Sequence, residues 1–346
     1  MNSEQMKNGV LVYMPGYGEQ NIGDYVQSLA ALQFLGNKPD VYLHREHLNS
    51  YSGDKVKLIM NGWFTHKPEN WPPSEKIQPL FVSFHVNSLA KNTLLREAGV
   101  EYLKKHQPIG CRDKGTVDLL REKGVDAYFT GCLTLTLGET YATKETDGKV
   151  YMVDPIFDKP KDFGSLSKAL IGVVTRYSKI KKLAHKLLRD TSIKSLLIAS
   201  RFYDAYSEYF SDSILMEAEY IHHYFPESQF KNEEEKFDLA KSLLRKYSKA
   251  ALVVTSRIHC ALPSLGMNTP VVYVNDLGQD EASSCRLDGI TELFNVIDYK
   301  KGKLFPRFSW EGGSKIVPST KVTNKPNYLS LKEKLVEKCR SFGSLN

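Results

Sequence analysis

The chain has 346 residues, 41% hydrophobic, 25% charged and 11% aromatic, a globular balance that excludes a disordered or fibrous protein. That length exceeds what one hydrophobic core usually serves, so two domains are expected. The formal net charge of +7 favours anionic partners, but no helix-turn-helix or RNP-type signature accompanies it, which argues against nucleic acid.

The N-terminus, Met1 to Gly9, lacks the basic and apolar regions of a signal peptide. Gly9-Val-Leu-Val-Tyr-Met14 predicts a first strand, with a turn at Pro15–Gly18. Asn21-Ile-Gly-Asp24 then opens a helix through Phe34 that Gly36 stops. The glycines from Gly16 to Gly23 permit close backbone approach, and the helix amides suit an anion or sugar hydroxyls. Asp24 reads as a helix cap. A dinucleotide site is disfavoured, because the full Gly-x-Gly-x-x-Gly pattern is missing.

Val56 to Met60 predicts a strand ending at Asn61-Gly62-Trp63, and Leu80 to Phe84 one ending at His85. Pro108 to Cys111 delivers Arg112 and Asp113 to a helix over 116–123, and Ala127 to Phe129 follows as strand. This β–turn–α repetition predicts an α/β fold with a parallel, doubly wound sheet.

The polar stretch Thr140 to Lys149 separates a second domain that starts with the strand Val150 to Val153. The expected boundaries are 1–147 and 148–325, with 326–346 as a closing segment. Between 173 and 189, Arg176, Lys179, Lys181, Lys182, Lys186 and Arg189 interleave with Val173, Ile180, Leu183, Leu187 and Leu188. The spacing predicts one basic amphipathic helix, either packed on the domain or docked on a membrane. Segments 195–199 and 213–221 read equally as helix or strand. A helix with acids in its first turn begins at Asn232 and runs to Tyr247. Ala251 to Val254 is a buried strand that ends in Arg257 and His259; a short helix to Gly266 and the strands 271–274 and 294–297 follow. An amphipathic helix from Tyr328 to Phe342 is expected to cross back onto the first domain. No apolar run reaches the roughly 20 residues that span a bilayer. Five scattered cysteines, at 111, 132, 260, 285 and 339, argue against a disulfide framework or zinc ribbon and fit a reducing cytoplasm.

Ligands of open α/β sheets bind at the carboxyl ends of strands. A guanidinium there grips carboxylate or phosphate in a bidentate way that lysine does not imitate, and histidine titrates around neutrality. Each candidate also has a structural alternative. Arg257 could pair with a carboxylate and His259 fill a polar niche; Arg112 could pair with Asp113 or cap a helix; His85 reads best as structural. His222 and His223 suit a surface or acceptor-side position better than a metal. Tyr17, Trp63 and Trp71 offer sugar platforms or ordinary packing. No Walker loop, metal-ligand cluster or Gly-x-Ser-x-Gly elbow is present, so a metal-independent reaction is expected.

Taken in order, Asn21-x-Gly23-Asp24, Asn61-Gly62, Cys111-Arg112-Asp113 and Ser256-Arg257-Ile-His259 resemble the polysaccharide pyruvyl transferase family from about Val10 to Val296. The resemblance implies two facing Rossmann-like domains with parallel sheets, GT-B-like, with the site in the interdomain cleft. It implies transfer of pyruvate from phosphoenolpyruvate, as co-substrate and without a tightly bound cofactor, to a sugar of a capsule, exopolysaccharide or cell-wall glycan precursor. The product is a cyclic ketal. Arg112 and Arg257 are then the donor-binding residues and His259 the acid/base, while Gly16, Asn21, Gly23, Asp24, Asn61 and His85 form an acceptor or anion loop. A lipid-linked acceptor would bring a cytoplasmic enzyme to the inner membrane face through the 173–189 helix. Three features depart from the family. Relatives commonly carry an aspartate after the strand that here ends Tyr128-Phe129, their motif commonly reads Arg-Leu-His, and the segment 157–194 has no counterpart. The alternatives are a GT-B glycosyltransferase using a nucleotide sugar and a non-catalytic glycan-assembly subunit.

Overall fold

The computed structural model describes residues 6–278 and 287–345; Cys285 and the first five residues of the N-terminal segment lie outside the described residues. The chain first lays down β1 (Lys7–Val12), β2 (Glu19–Asn21), β3 (Val41–His44), β4 (Val56–Phe64), β5 (Ile77–Val86), β6 (Ile109–Cys111) and β7 (Ala127–Phe129). There follow β8 (Val150–Val153), β9 (Glu219–Ile221), β10 (Tyr224–Pro226), β11 (Leu252–Thr255), β12 (Val271–Asp276), β13 (Asn295–Lys300) and β14 (Lys303–Pro306). The first sheet runs β3-β1-β4-β5-β6-β7 and is parallel throughout; the second runs β14-β13-β12-β11-β8-β9 and is parallel except for β14. The expectation of an α/β fold with parallel sheets is met.

The second sheet buries both faces, as parallel strands read with continuous apolar runs do. Alternate residues go to different cores. Tyr151, Val153, Val253, Val271 and Tyr273 join the core of the first sheet, whereas Val150, Met152, Val254, Val272 and Val274 face a second cluster. One hydrophobic interior is thus continuous across the polar stretch 140–149.

Several elements differ from the sequence reading. β4 continues through Asn61 and Gly62 to Phe64: its pairing with β5 shifts by one residue at an irregularity between Met60 and Gly62, with Gly62 at φ +101°, and resumes beyond the glycine. Asn61 therefore lies in a strand, and so does His85 in β5. The expected single helix over 173–189 is two helices, Phe163–Thr175 and Tyr177–Leu188, broken at Arg176. Arg176 holds the corner by pairing with Asp204 at 2.7 Å, and Ile180, Leu183 and Leu187 are buried in the second core. Residues 195–199 belong to the helix Ile193–Tyr206, capped by Ser192, and 213–221 split into the helix Asp212–Glu217, capped by Ser211, and β9. The final helix, Leu329–Gly343, buries Leu335, Cys339 and Phe342 in the core of the first sheet. Lys57 Nζ in β4 donates to the carbonyls of Gly343 and Leu345 at 3.1 and 2.6 Å.

Among the described residues, carboxyl ends of the two sheets touch where β2 pairs antiparallel with β10 and where Gly23 meets His259. Lys114, after β6, pairs at 3.1 Å with Glu292, which stands just before β13 at the amino end of the second sheet.

Candidate active site

β8 and β11 are parallel neighbours with Val153 opposite Thr255, so the residues that follow them, Asp154 and Ser256, emerge side by side. Asp154 sits at φ +43°, a left-handed conformation that aspartate tolerates better than most residues. Ser256 Oγ donates to its backbone carbonyl at 2.6 Å, and Arg257 Nε donates to its Oδ2 at 2.8 Å. The His223 amide donates to the same oxygen at 3.2 Å, and His222 Nδ1 lies 3.1 Å from Oδ1. Burial pushes this carboxyl up, but the His222 hydrogen bond, the charges of Arg257 and His223, and the Arg257 hydrogen bond outweigh it and hold it at about 2. The face of the Arg257 guanidinium lies 4.9 Å from the centre of the Tyr224 ring. With Nε and one face engaged and the side chain still 38% exposed, the terminal Nη pair is what a ligand would meet.

From the first sheet comes the segment after β1. Gly16 and Glu19 exchange backbone hydrogen bonds of 2.9 and 3.0 Å around Tyr17 at φ +53° and Gly18 at φ +79°, a type I′ hairpin turn. The Gly16 amide is consequently committed to the turn, and Tyr17 stands fully exposed at its tip. Pairing with β10 sets Asn21 opposite Tyr224, and the Ile22 amide donates to the His223 carbonyl at 2.9 Å. Asn21 Oδ1 accepts from the Gly23 amide at 3.0 Å, so Asn21 caps the helix Ile22–Leu32 in place of the expected Asp24. Asp24 accepts from Gln27 Nε2 at 3.1 Å. A Cβ on Gly23 would stand 3.2 Å from His259 Cβ and 3.3 Å from its Nδ1. Two helices, Ile22–Leu32 and Ile258–Gly266, therefore begin against each other, both directing the positive ends of their dipoles toward the half-buried imidazole and Arg257.

His85, Arg112 and Asp113 form a separate cluster at the ends of β5 and β6. Asp113 caps the helix Lys114–Glu122 through the Thr116 amide at 2.8 Å, and its Oδ2 lies 2.6 Å from His85 Nδ1. Burial raises its carboxyl, yet the hydrogen bond and charge of His85, with Arg112 adding, leave it below its ordinary value. Burial also lifts the Cys132 thiol, against the pull of Arg112. Arg112 is 2% exposed and His85 1%. Asn61, equally buried, donates through Nδ2 to the Gln27 carbonyl at 2.9 Å. The structure thus brings Asn21, Gly23, Arg257 and His259 together, keeps Asp24 in the first turn of the helix that Asn21 caps, against Gln27, and encloses Asn61, His85 and Arg112 within the first sheet's carboxyl end.

A family model described as polysaccharide pyruvyl transferase matches residues 21–276. The chain belongs to the polysaccharide pyruvyl transferase family. Neither a curated protein nor a solved structure matches it. The matched span of this transferase family begins at the helix cap Asn21 and closes at the end of β12, so it encloses both lobes of the Gly23–His259 contact and Asp154.

Asp154 is the residue that sequence reasoning missed. Its signal was present, since it directly follows the apolar run Val150 to Val153 and stands where a strand delivers a side chain. Tyr224 carried no signal, as β10 has only three residues and exists through its pairing with β2. Of the aromatic platforms, Trp71 packs among Phe64, Phe84 and Tyr102. Trp63 carries Arg45 4.6 Å from one ring centre and His66 at 4.2 Å. His223 is fully buried, 2.8 Å from the Tyr247 hydroxyl.

Proposed function

We propose that this member of the family transfers pyruvate from phosphoenolpyruvate onto two hydroxyls of a sugar in a capsule, exopolysaccharide or cell-wall glycan precursor. The observation that carries the reading is the contact of Gly23 with His259 beside Arg257: a fixed cation, two helix N-termini and one imidazole meet where a small organophosphate needs charge and a proton. The contacts between the carboxyl ends of the sheets support a GT-B-like pairing of two Rossmann-like domains, residues 1–147 on the acceptor side and 148–325 on the donor side, with the site in their cleft.

In this reading the Nη pair of Arg257 grips the donor's carboxylate or phosphate, and His259 moves the proton. C3 of the enol gains a proton while the first sugar hydroxyl adds to C2 and gives its proton up. The C2–O bond to phosphate then breaks with its electron pair leaving on phosphate. The second hydroxyl closes the ring, and its proton ends on the departing phosphate. No metal or tightly bound cofactor enters these steps. Asn21, Gly23 and Asp24 border the acceptor, with Gly16, Asn61 and His85 supporting that loop. Arg112 is the donor's second fork in this scheme, and its enclosure means that it reaches the donor only when the packing around it opens. The enzyme works on the cytoplasmic side, on a glycan or lipid-linked glycan.

Incubating the protein with phosphoenolpyruvate and cell-derived glycan lipids should release phosphate and add the mass of a pyruvate ketal. Sugar transfer from a nucleotide sugar, with no phosphate release from phosphoenolpyruvate, would replace this reading by the glycosyltransferase one.

A further inference from the structure

The helix Phe163–Thr175 is built inside out. Its small residues Ala169 and Gly172 are buried, and a Cβ on Gly172 would collide with Ser200 Oγ of the neighbouring helix Ile193–Tyr206. Its large apolar side chains face solvent: Phe163 is 86% exposed, Ile171 64% and Val174 78%, with Leu166 and Leu170 between them. The positions 163, 166, 170, 171 and 174 form one stripe of the helix, roughly 16 Å long. Tyr177 and Ile193, at the starts of the two helices that follow, are also exposed, at 52% and 74%. Contiguous exposed apolar surface of this kind marks a contact site.

Charge identifies what covers it. Ten lysines and arginines but three aspartates fall between 156 and 194, and that excess equals the whole chain's +7. The segment that carries the stripe thus holds the chain's formal excess of positive charge. Arg176, Lys179 and Lys182 are paired with Asp204, Asp212 and Glu217 from the following elements. Lys159, Lys161, Lys168, Lys181 and Lys194 are exposed, with no acidic partner among the described residues. An open cavity of about 670 Å³ adjoins the stripe at Tyr177 and is lined by Lys181, Lys182 and His185.

We propose that the stripe of Phe163–Thr175 enters the interface of an anionic bilayer, with the surrounding lysines on lipid phosphates and the Tyr177 cavity taking a headgroup. The helix Tyr177–Leu188, whose apolar side is buried, contributes only its lysines. The contact is one-sided and shallow; among the described residues no helix is long and apolar enough to cross a membrane.

The test is sedimentation of the full chain with vesicles of phosphatidylcholine alone or mixed with phosphatidylglycerol, without donor or acceptor, so that its outcome is independent of the proposed reaction. Wild type is expected to pellet with the mixed vesicles and be released by salt. The variant Phe163→Ser/Ile171→Ser/Val174→Ser should bind about tenfold more weakly or worse, because the apolar insertion is removed. Lys168→Glu/Lys181→Glu should lose about fivefold or more per lysine. All these positions are exposed, and unchanged melting temperatures confirm folded variants. Absence of binding to mixed vesicles at low salt, or binding indifferent to the triple substitution, overturns the proposal. So does a homodimer that the triple substitution dissociates, for a second copy would then cover the stripe.

Discussion

With its Nε committed to Asp154 and one face on Tyr224, Arg257 loses little side-chain freedom when it binds, which is the advantage of a pre-organised fork. Lysine in its place supplies a point charge with neither the bidentate geometry nor the Asp154 hydrogen bond. Arg257→Lys is expected to raise the KM for phosphoenolpyruvate on the order of tenfold or more, from a loss of about 1.5–3 kcal/mol. His259→Ala should leave donor affinity near wild type and lower kcat by about 100- to 10,000-fold. Steady-state kinetics with donor-induced thermal shifts separate the two; equal loss of donor binding in both variants would contradict the division of roles. The two residues were legible because each follows an unmistakable apolar strand. The buttress was not: Arg257 and Asp154 are 103 positions apart, and only the pairing of β8 with β11 makes them neighbours.

Among the elements, the start of the helix Ile22–Leu32 is the most constrained. Alanine in a helix is ordinarily better than glycine by about 1 kcal/mol, yet a methyl group on Gly23 would press on His259 Cβ and Nδ1 at 3.2 and 3.3 Å. The same methyl would also stand 3.0 Å from the capping Asn21 Oδ1, which offsets that gain, so Gly23→Ala should leave the melting temperature near or slightly below wild type while depressing kcat about tenfold or more through a displaced imidazole. A variant with unaltered kcat would mean that the contact yields freely and that His259 is not held by this helix. The glycine in Asn21-x-Gly23-Asp24 was visible in the sequence as a place of close approach. What approaches it was not, because β2 and β10, which dock the two segments, have three residues each and no apolar pattern to announce them.

On the scale of the whole molecule, acid should weaken the joint between the two sheets. His223 accepts the Ile22 amide on its carbonyl and is fully buried. Burial drives its imidazole down to about 4, with Arg257 and His222 adding to the shift against Asp154. Between that value and the unfolded value near ~6.5, the unfolded chain binds a proton that the folded chain excludes. Stability is therefore expected to fall as pH drops from about 6.5 to about 4, by about 3 kcal/mol from this group. Asp154 behaves as a depressed carboxylate: its contribution is complete above its unfolded value near ~4 and is lost as pH falls toward its folded value of about 2. Urea unfolding across this range should show the upper window flattened in His223→Gln; an unchanged slope would assign the proton to another group.

The sequence by itself determined β1, β4 to β8 and β11 to β13, the parallel α/β class and the strand-end motifs, because apolar runs and turn residues act over a few positions and need no distant partner; the edge strands β3, β9 and β14 were not read from it. Tertiary structure alone decided which ends meet. It enclosed Arg112 and His85 with Asp113, joined Arg257 to Asp154, set Gly23 against His259, and turned the large side chains of Phe163–Thr175 outward. Each of these depends on what packs from far along the chain: burial is a property of the assembled surface, and local spacing fixes which residues share a face without fixing what that face will touch.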